Sequence, residues 1–234
     1  MSQPIIPFNP FHSQRLTYRA ANATATQDEN FVYSIQSDAE AQTGSSYGLL
    51  RPETYQSSKE FLEYISSKCL LGVIICLPNP ASQTETTHAN TEKDDEKHAQ
   101  SRKEEEEEEE GEETAIGILC LKATPPSQAP HRWTDISIDI HRDYRGRGYG
   151  AEAIRWGLWW AFQMAGLHRV QIQAFSFNTG AMRLYERLGF REEGRLRDHM
   201  WFNGRWHDGL IYGMLEHEWR DGQRKAGRDL SSCV

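Results

Sequence analysis

The sequence predicts an α/β (α+β) chain: a central mixed, mostly antiparallel sheet flanked by helices, in the order β-α-α-β-β-β-α-β-α-β-β. Three observations carry that prediction. Runs with an apolar period of two alternate with stretches in which apolar residues recur at three and four, the periods of strand and helix. A loop rich in glycine and arginine, Arg142-Asp143-Tyr144-Arg145-Gly146-Arg147-Gly148-Tyr149-Gly150-Ala151, joins one such strand to one such helix. Asn203-Gly204 separates the last two apolar-rich runs, where it reads as a tight hairpin.

Residues 15–20 alternate weakly and form the first expected strand. Asp28 reads as the N-cap of a helix that carries Phe31 and Ile35 and ends near Ser37. Residues 41–56, rich in Gly, Ser and Tyr, read as loop. Ser57 or Ser58 caps a second helix, with Phe61, Leu62 and Ile65 on one face, running to about Lys68. The run 69–77 is a buried strand bounded by Pro78 and Pro80, about half as long as a membrane span. An equally apolar strand resumes at 115–121.

Between those strands, residues 78–114 have almost no large apolar side chains and include seven consecutive glutamates. Such a stretch cannot bury enough surface to offset its ordering entropy, so it is expected to be a disordered acidic insertion in a β-hairpin. An acidic arm that attracts basic acceptors is the functional alternative. A linker between two domains fits less well, because neither side holds a complete set of core elements, and the whole of 1–234 reads as a single domain. The segment's 14 acids and 4 bases place a balance of −10 there, which leaves about +2 on the rest of a chain whose total is −8.

Pro125, Pro126 and Pro130 mark a loop before the strand 133–140. The helix over 149–165 carries Ile154, Leu158 and Phe162 at helical spacing, widened by Trp156, Trp159 and Trp160, and stops at Gly166. A strand over 169–176 leads to a short helix, 180–188, with Ala181, Leu184, Tyr185 and Leu188 on one stripe and Gly189 as its stop. Strands at 193–202 and 205–215 form the closing hairpin, and 220–234 reads as a flexible tail. Cys69, Cys76, Cys120 and Cys233 show neither metal spacing nor a disulfide framework and read as reduced thiols in an intracellular protein. No metal cluster and no secretory leader are expected.

Strand, glycine-rich loop and helix start together build an anion site. Glycine lets the backbone turn tightly and expose its N–H groups, and a helix N-terminus adds unpaired donors and partial positive charge. Arg145 and Arg147 supply full charges suited to phosphate oxygens. A P-loop is excluded, since no lysine follows the glycines. A dinucleotide fingerprint on Gly146, Gly148 and Ala151 lacks the acidic residue that should close the next strand. The spacing Arg/Gln-x-x-Gly-x-Gly/Ala is met by Arg145, Gly148 and Gly150. A tight turn with solvated arginines is the plain alternative.

This loop resembles the acyl-coenzyme-A loop of the GNAT superfamily of N-acetyltransferases. Asn178-Thr179-Gly180-Ala181-Met182-Arg183-Leu184-Tyr185-Glu186-Arg187-Leu188-Gly189-Phe190 and the hairpin ending Asn203-Gly204-Arg205-Trp206-His207-Asp208 extend the resemblance over about 133–219. It is nearest the branch that acetylates ribosomal-protein N-termini and related acceptors. The resemblance implies acetyl-CoA as cosubstrate, wedged between a splayed 133–140 and 169–176. Backbone groups of Ile138, Asp139 and Ile140 would pair with the pantetheine arm. The N–H groups of Arg145, Gly146, Arg147, Gly148, Tyr149 and Gly150 would hold the diphosphate, and Asn178 would bond the cofactor beside the thioester or simply cap its helix. Tyr185 matches the usual general acid, with a core aromatic as the alternative.

Strand alternation puts Ile136, Ile138 and Ile140 on one face and Asp135, Ser137 and Asp139 on the other. Asp135 lies near the glutamate of many relatives and is the first candidate base, with Asp139 second; solvated strand aspartates are the alternative. His199 and His207 are surface histidines or acceptor contacts. The reading is an enzyme acting in the cytoplasm or nucleus, monomer or homodimer, on an amine: a protein N-terminus, polyamine, amino sugar or small molecule. A non-catalytic acyl-CoA-binding module is the alternative, which the presence of Tyr185 disfavours. A nucleic-acid partner is disfavoured by a body charge near +2, and no membrane association is expected.

Overall fold

The computed structural model of the chain describes residues 9–78 and 113–227. Seven strands, β1 (Thr17–Ala20), β2 (Cys69–Leu77), β3 (Thr114–Lys122), β4 (Trp133–Ile140), β5 (Arg169–Phe175), β6 (Arg191–Phe202) and β7 (Arg205–Leu215), form one sheet. Their order across it is β1-β2-β3-β4-β5-β7-β6. All neighbours run antiparallel except β4 and β5.

The apolar runs of β2 and β3 are continuous because helices cover both faces of the sheet there. On one face, Val73, Ile75, Leu119 and Leu121 pack against α4 (Tyr149–Trp159), which brings Ile154, Trp156 and Leu158 to them. On the other, Ile74, Cys76, Ile118 and Cys120 pack under Val32 and Ile35 of α1 (Thr26–Gln36) and Leu62 and Ile65 of α3 (Tyr55–Ser67). Alternate residues of each strand serve opposite layers, as a period of two requires. Tyr18 of β1 stacks on Trp156 at 3.7 Å, and the Trp156 indole donates to the Pro10 carbonyl at 2.9 Å.

Several local readings are corrected. Asp28 does not cap α1; it is buried inside the first turn, where it accepts from Arg19 (2.6 and 2.9 Å) and the Asn22 amide (2.8 Å). A short helix, α2 (Ala39–Ser45), occupies part of the expected loop. It is capped by Asp38 and buries none of its own residues, so it left no apolar period to read. Thr54, rather than Ser57 or Ser58, caps α3, in a reciprocal pair with Ser57. Pro126–His131 forms a 3-10 turn, and α4 runs on through a π turn, Trp160–Met164. The seventh strand is followed by α6 (Glu216–Lys225), reaching into the stretch expected to be tail. Its Trp219 is buried against Phe162 (5.5 Å), and Glu218 accepts from the Leu215 amide (3.0 Å). The fifth helix, α5 (Thr179–Leu188), lies between β5 and β6.

The expectation of reduced thiols fails for two of the cysteines. Cys69 and Cys120 are joined as a disulfide between β2 and β3, with Cα atoms 6.5 Å apart. Their separation of 51 residues gives no spacing signal; strand pairing brings them together. Cys76 is a buried free thiol, its pKa pushed up to about 12 chiefly by burial. Residues 79–112, most of the expected acidic insertion, lie outside the described residues; on either side of them Leu77 pairs with Thr114.

Candidate active site

The site begins where two parallel strands part. β4 pairs with β5 only at Trp133–Arg169, Thr134–Val170 and Asp135–Gln171. Beyond Asp135, β4 stays bonded to β3 on one edge, through Ile136, Ser137, Ile138, Asp139 and Ile140. The other edge faces a cleft of about 780 Å³. Gly117 makes that packing possible: a Cβ there would sit 2.7 Å from the Asp139 carbonyl oxygen. The expected gap is present, with Ile138, Asp139 and Ile140 on its wall.

The loop after β4 turns through a 3-10 segment, Arg142–Tyr144, then through Gly146 (φ +74°) and Gly148 (φ +83°) into α4. Gly148 is the N-cap of α4 and no side chain caps that terminus. The first turn therefore keeps its amide donors for an anion. Gly150 and Arg145 line the cleft, whereas Gly146, Arg147, Gly148 and Tyr149 lie beyond its lining, along the loop.

Both arginine side chains have partners within the chain. Arg145 donates to the Ile140 carbonyl (2.9 Å) and to the Asp38 carboxylate (2.8 Å). Arg142 reaches the same carboxylate at 3.0 Å. Burial works to raise Asp38, but the Arg145 bond and charge, the Glu40 amide and Arg142 hold it below the usual carboxylate range. Arg147 lies over the Tyr144 ring at 5.6 Å. Its carbonyl accepts from Arg15 (3.1 Å), which also pairs with Glu152 (2.7 Å) and covers the Tyr149 ring (4.7 Å). Asp38, Arg15 and Glu152 escaped sequence reasoning because their partners lie more than 100 residues away.

Across the cleft stands Tyr185 of α5, 8 % exposed and packed against Phe190 (6.1 Å) and Tyr212 (5.8 Å). The residue lines the cleft. Burial first, then the charges of Asp139 and Tyr212, raises its pKa well above that of a free phenol. Tyr185 is thus a core aromatic that also lines the gap.

Asn178 caps α5, its Oδ1 accepting from the Ala181 amide (3.1 Å) and its Nδ2 donating to the Gly44 carbonyl (3.4 Å). It also lines the cleft. Asp135 accepts from Gln171 at 2.9 Å. Asp139 is half-buried, and burial raises its pKa to about 6 against the opposing Ser45 hydroxyl and Arg145 charge. The roof is α2 and the loop after it, where the Tyr47 hydroxyl donates to Gln173 (2.7 Å). His199 stands edge-on to Tyr47 (5.3 Å). His207 is not at the surface: it is buried against Phe177 (4.8 Å), its Nε2 without a partner among the described residues. Among the described residues no group of His, Cys, Asp and Glu is gathered to hold a metal ion, and no helix is long and apolar enough to cross a membrane.

Comparison with known proteins bears on the same stretch. The putative ribosomal N-acetyltransferase YdaF of Bacillus subtilis is 36% identical over 89 residues, 38% of this chain and 49% of the relative. The prophage-derived uncharacterized N-acetyltransferase YokL of the same organism is 35% identical over 81 residues, 35% of this chain and 46% of the relative. The chain thus spans about half the length of these relatives. The crystal structure of spermidine N-acetyltransferase from Vibrio cholerae in complex with CoA and spermine superposes with a TM-score of 0.63 at 19% identity, over 89% of this chain and 99% of that one, a likeness of fold. The sheet that splits at Asp135, the glycine loop behind it and the helix carrying Tyr185 all fall within or beside residues 65–190, which match the acetyltransferase (GNAT) family, and the chain belongs to that family.

Proposed function

We propose that the chain transfers an acetyl group from acetyl-CoA to an amine by direct attack in a ternary complex. The observation that carries the reading is the half-unpaired β4, whose open edge leads from a gap facing Tyr185 to an uncapped helix N-terminus behind two positive-φ glycines. The amides of Gly146 to Gly150 fit a diphosphate there, with the partial charge of the helix end behind them. Ile138, Asp139 and Ile140 offer backbone groups to an extended pantetheine, in the manner of an added strand. Asn178 lines the same cleft, its side chain between the helix end it caps and Gly44.

Much of the rate then comes from holding two reactants in line. The amine nitrogen forms the new C–N bond at the thioester carbonyl, and the C–S bond breaks. Tyr185 hands its phenolic proton to the departing thiolate and regains one from the nitrogen as the amide forms. Its raised pKa keeps it protonated until that moment, and the same apolar surroundings make the thiolate a stronger base. On the acceptor side, Glu40, Tyr47, Phe175 and Phe177 line the cleft, a carboxylate and aromatic faces that favour a cationic aliphatic amine. Relatives named for spermidine support an amine of that kind.

Calorimetry with coenzyme A and turnover of acetyl-CoA with a panel of amines test it. The expected result is one-to-one uptake of coenzyme A and an N-acetylated product from at least one amine. A well-folded chain that takes up no coenzyme A overturns it.

A further inference from the structure

We infer that Arg15, which comes from the segment ahead of β1 and not from the glycine loop, binds the diphosphate of coenzyme A as the cation at the start of α4. This deepens, and rests on, the acetyl transfer proposed above. The arginines of the loop itself are turned elsewhere: Arg142 and Arg145 to Asp38, Arg147 to the Tyr144 ring. Arg15 is brought instead to Gly148, the N-cap of α4. Its Nη2 stands 3.4 Å from where a Cβ on that glycine would lie. No side chain caps this helix end, and the Arg15 side chain is 44 % exposed beside it, open to a ligand from solvent.

The segment that carries Arg15 is fixed on α4 by two residues one helical turn apart, on one face. Trp156 donates to the Pro10 carbonyl (2.9 Å). Glu152 accepts from the Ser13 hydroxyl (2.8 Å), the Arg15 amide (2.7 Å) and Arg15 Nε (2.7 Å). Arg15 Nη1 donates to the Arg147 carbonyl (3.1 Å), and the guanidinium covers the Tyr149 ring at 4.7 Å. A fork held on these sides has little rotamer freedom left to lose when an anion arrives. Those bonds use Nε and Nη1, and Nη2 is the nitrogen beside Gly148. Glu152 supplies a second reason for a cation here. An acid in the first turn suits the helix dipole but repels a diphosphate at the same end. Arg15 offsets that charge and aligns its own fork with the helix end in one arrangement.

The test measures coenzyme A and 3′-dephospho-coenzyme A by calorimetry on the full chain, on Arg15→Gln, and on Arg15→Gln/Glu152→Gln, which leaves no unpaired carboxylate behind. Both affinities should fall roughly 10- to 100-fold in each variant, the scale of a charge-assisted bond to phosphate. With the amine that gives product in the panel above, KM for acetyl-CoA should rise in step while kcat at saturation changes by less than about threefold, the mark of lost uniform binding. Full affinity in the folded double variant overturns the inference. So does a loss confined to coenzyme A, which puts the cation on the 3′-phosphate, or a kcat that falls along with affinity, which makes Arg15 a brace for the loop. Each of these leaves acetyl transfer standing. A wild-type chain that takes up neither nucleotide removes that reading as well.

Discussion

At the scale of single residues, the site is a set of groups whose neighbours decide what they can do. Tyr185 packs like a core aromatic, so removing only its hydroxyl should leave the ring where it is. Tyr185→Phe is expected to lower kcat by about 100-fold with coenzyme A affinity unchanged, measured by steady-state kinetics beside calorimetry. An unchanged kcat removes Tyr185 as the acid. Asp38 is the opposite case, a carboxylate that serves through others. Its folded pKa is depressed, so its contribution to stability is complete above the ordinary aspartate range and is lost as pH falls through the lowered value. Asp38→Ala should cost about 2 kcal/mol at pH 7, read by denaturant unfolding, with a smaller deficit at pH 3. No difference between the two pH values would show that Arg142 and Arg145 contribute little through it.

At the scale of elements, what the sequence made legible follows from period and punctuation. The strands at 69–77 and 133–140 appear with the expected bounds because each carries a buried stripe and abrupt flanks. The glycine loop was legible for the same reason: Gly148 has to be glycine, as its φ of +83° strains any side chain. Gly148→Ala is expected to cost about 1–2 kcal/mol of loop geometry, hence about tenfold in coenzyme A affinity, with little change in kcat at saturation. Retention of full affinity would argue that the diphosphate is held elsewhere. The missed element, α2, is joined to the rest by polar bonds: Asp38 to two arginines and the Gly44 carbonyl to Asn178. Such bonds leave no trace in hydrophobic pattern. The same reason hid the use of Arg145, whose charge was legible but whose buried partner was not.

At the scale of the whole molecule, one sheet with helices on both faces was foreseeable from the order of elements. The disulfide was not, because Cys69 and Cys120 become neighbours only through strand pairing. The long stretch between β2 and β3 leaves the sheet at Leu77 and rejoins it at Thr114, and neither residue is on the wall of the cleft. Deleting residues 80–112 and bridging the ends with a short turn should leave coenzyme A affinity within about twofold, since shortening a loop changes its closure entropy only logarithmically. A large loss would give the acidic stretch a part in cofactor capture.

The bridge between β2 and β3 has a consequence for the integrity of the polypeptide. It fastens the half that ends with β2 to the half that begins with β3, so a cut at an engineered protease site between 79 and 112 severs the backbone without parting the two pieces. Nicked material should run as one band in a denaturing gel without reductant and as two with it. The amino-terminal piece would carry the roof over the acceptor, the carboxy-terminal piece would carry the cofactor loop, and a single covalent link would keep them in one particle.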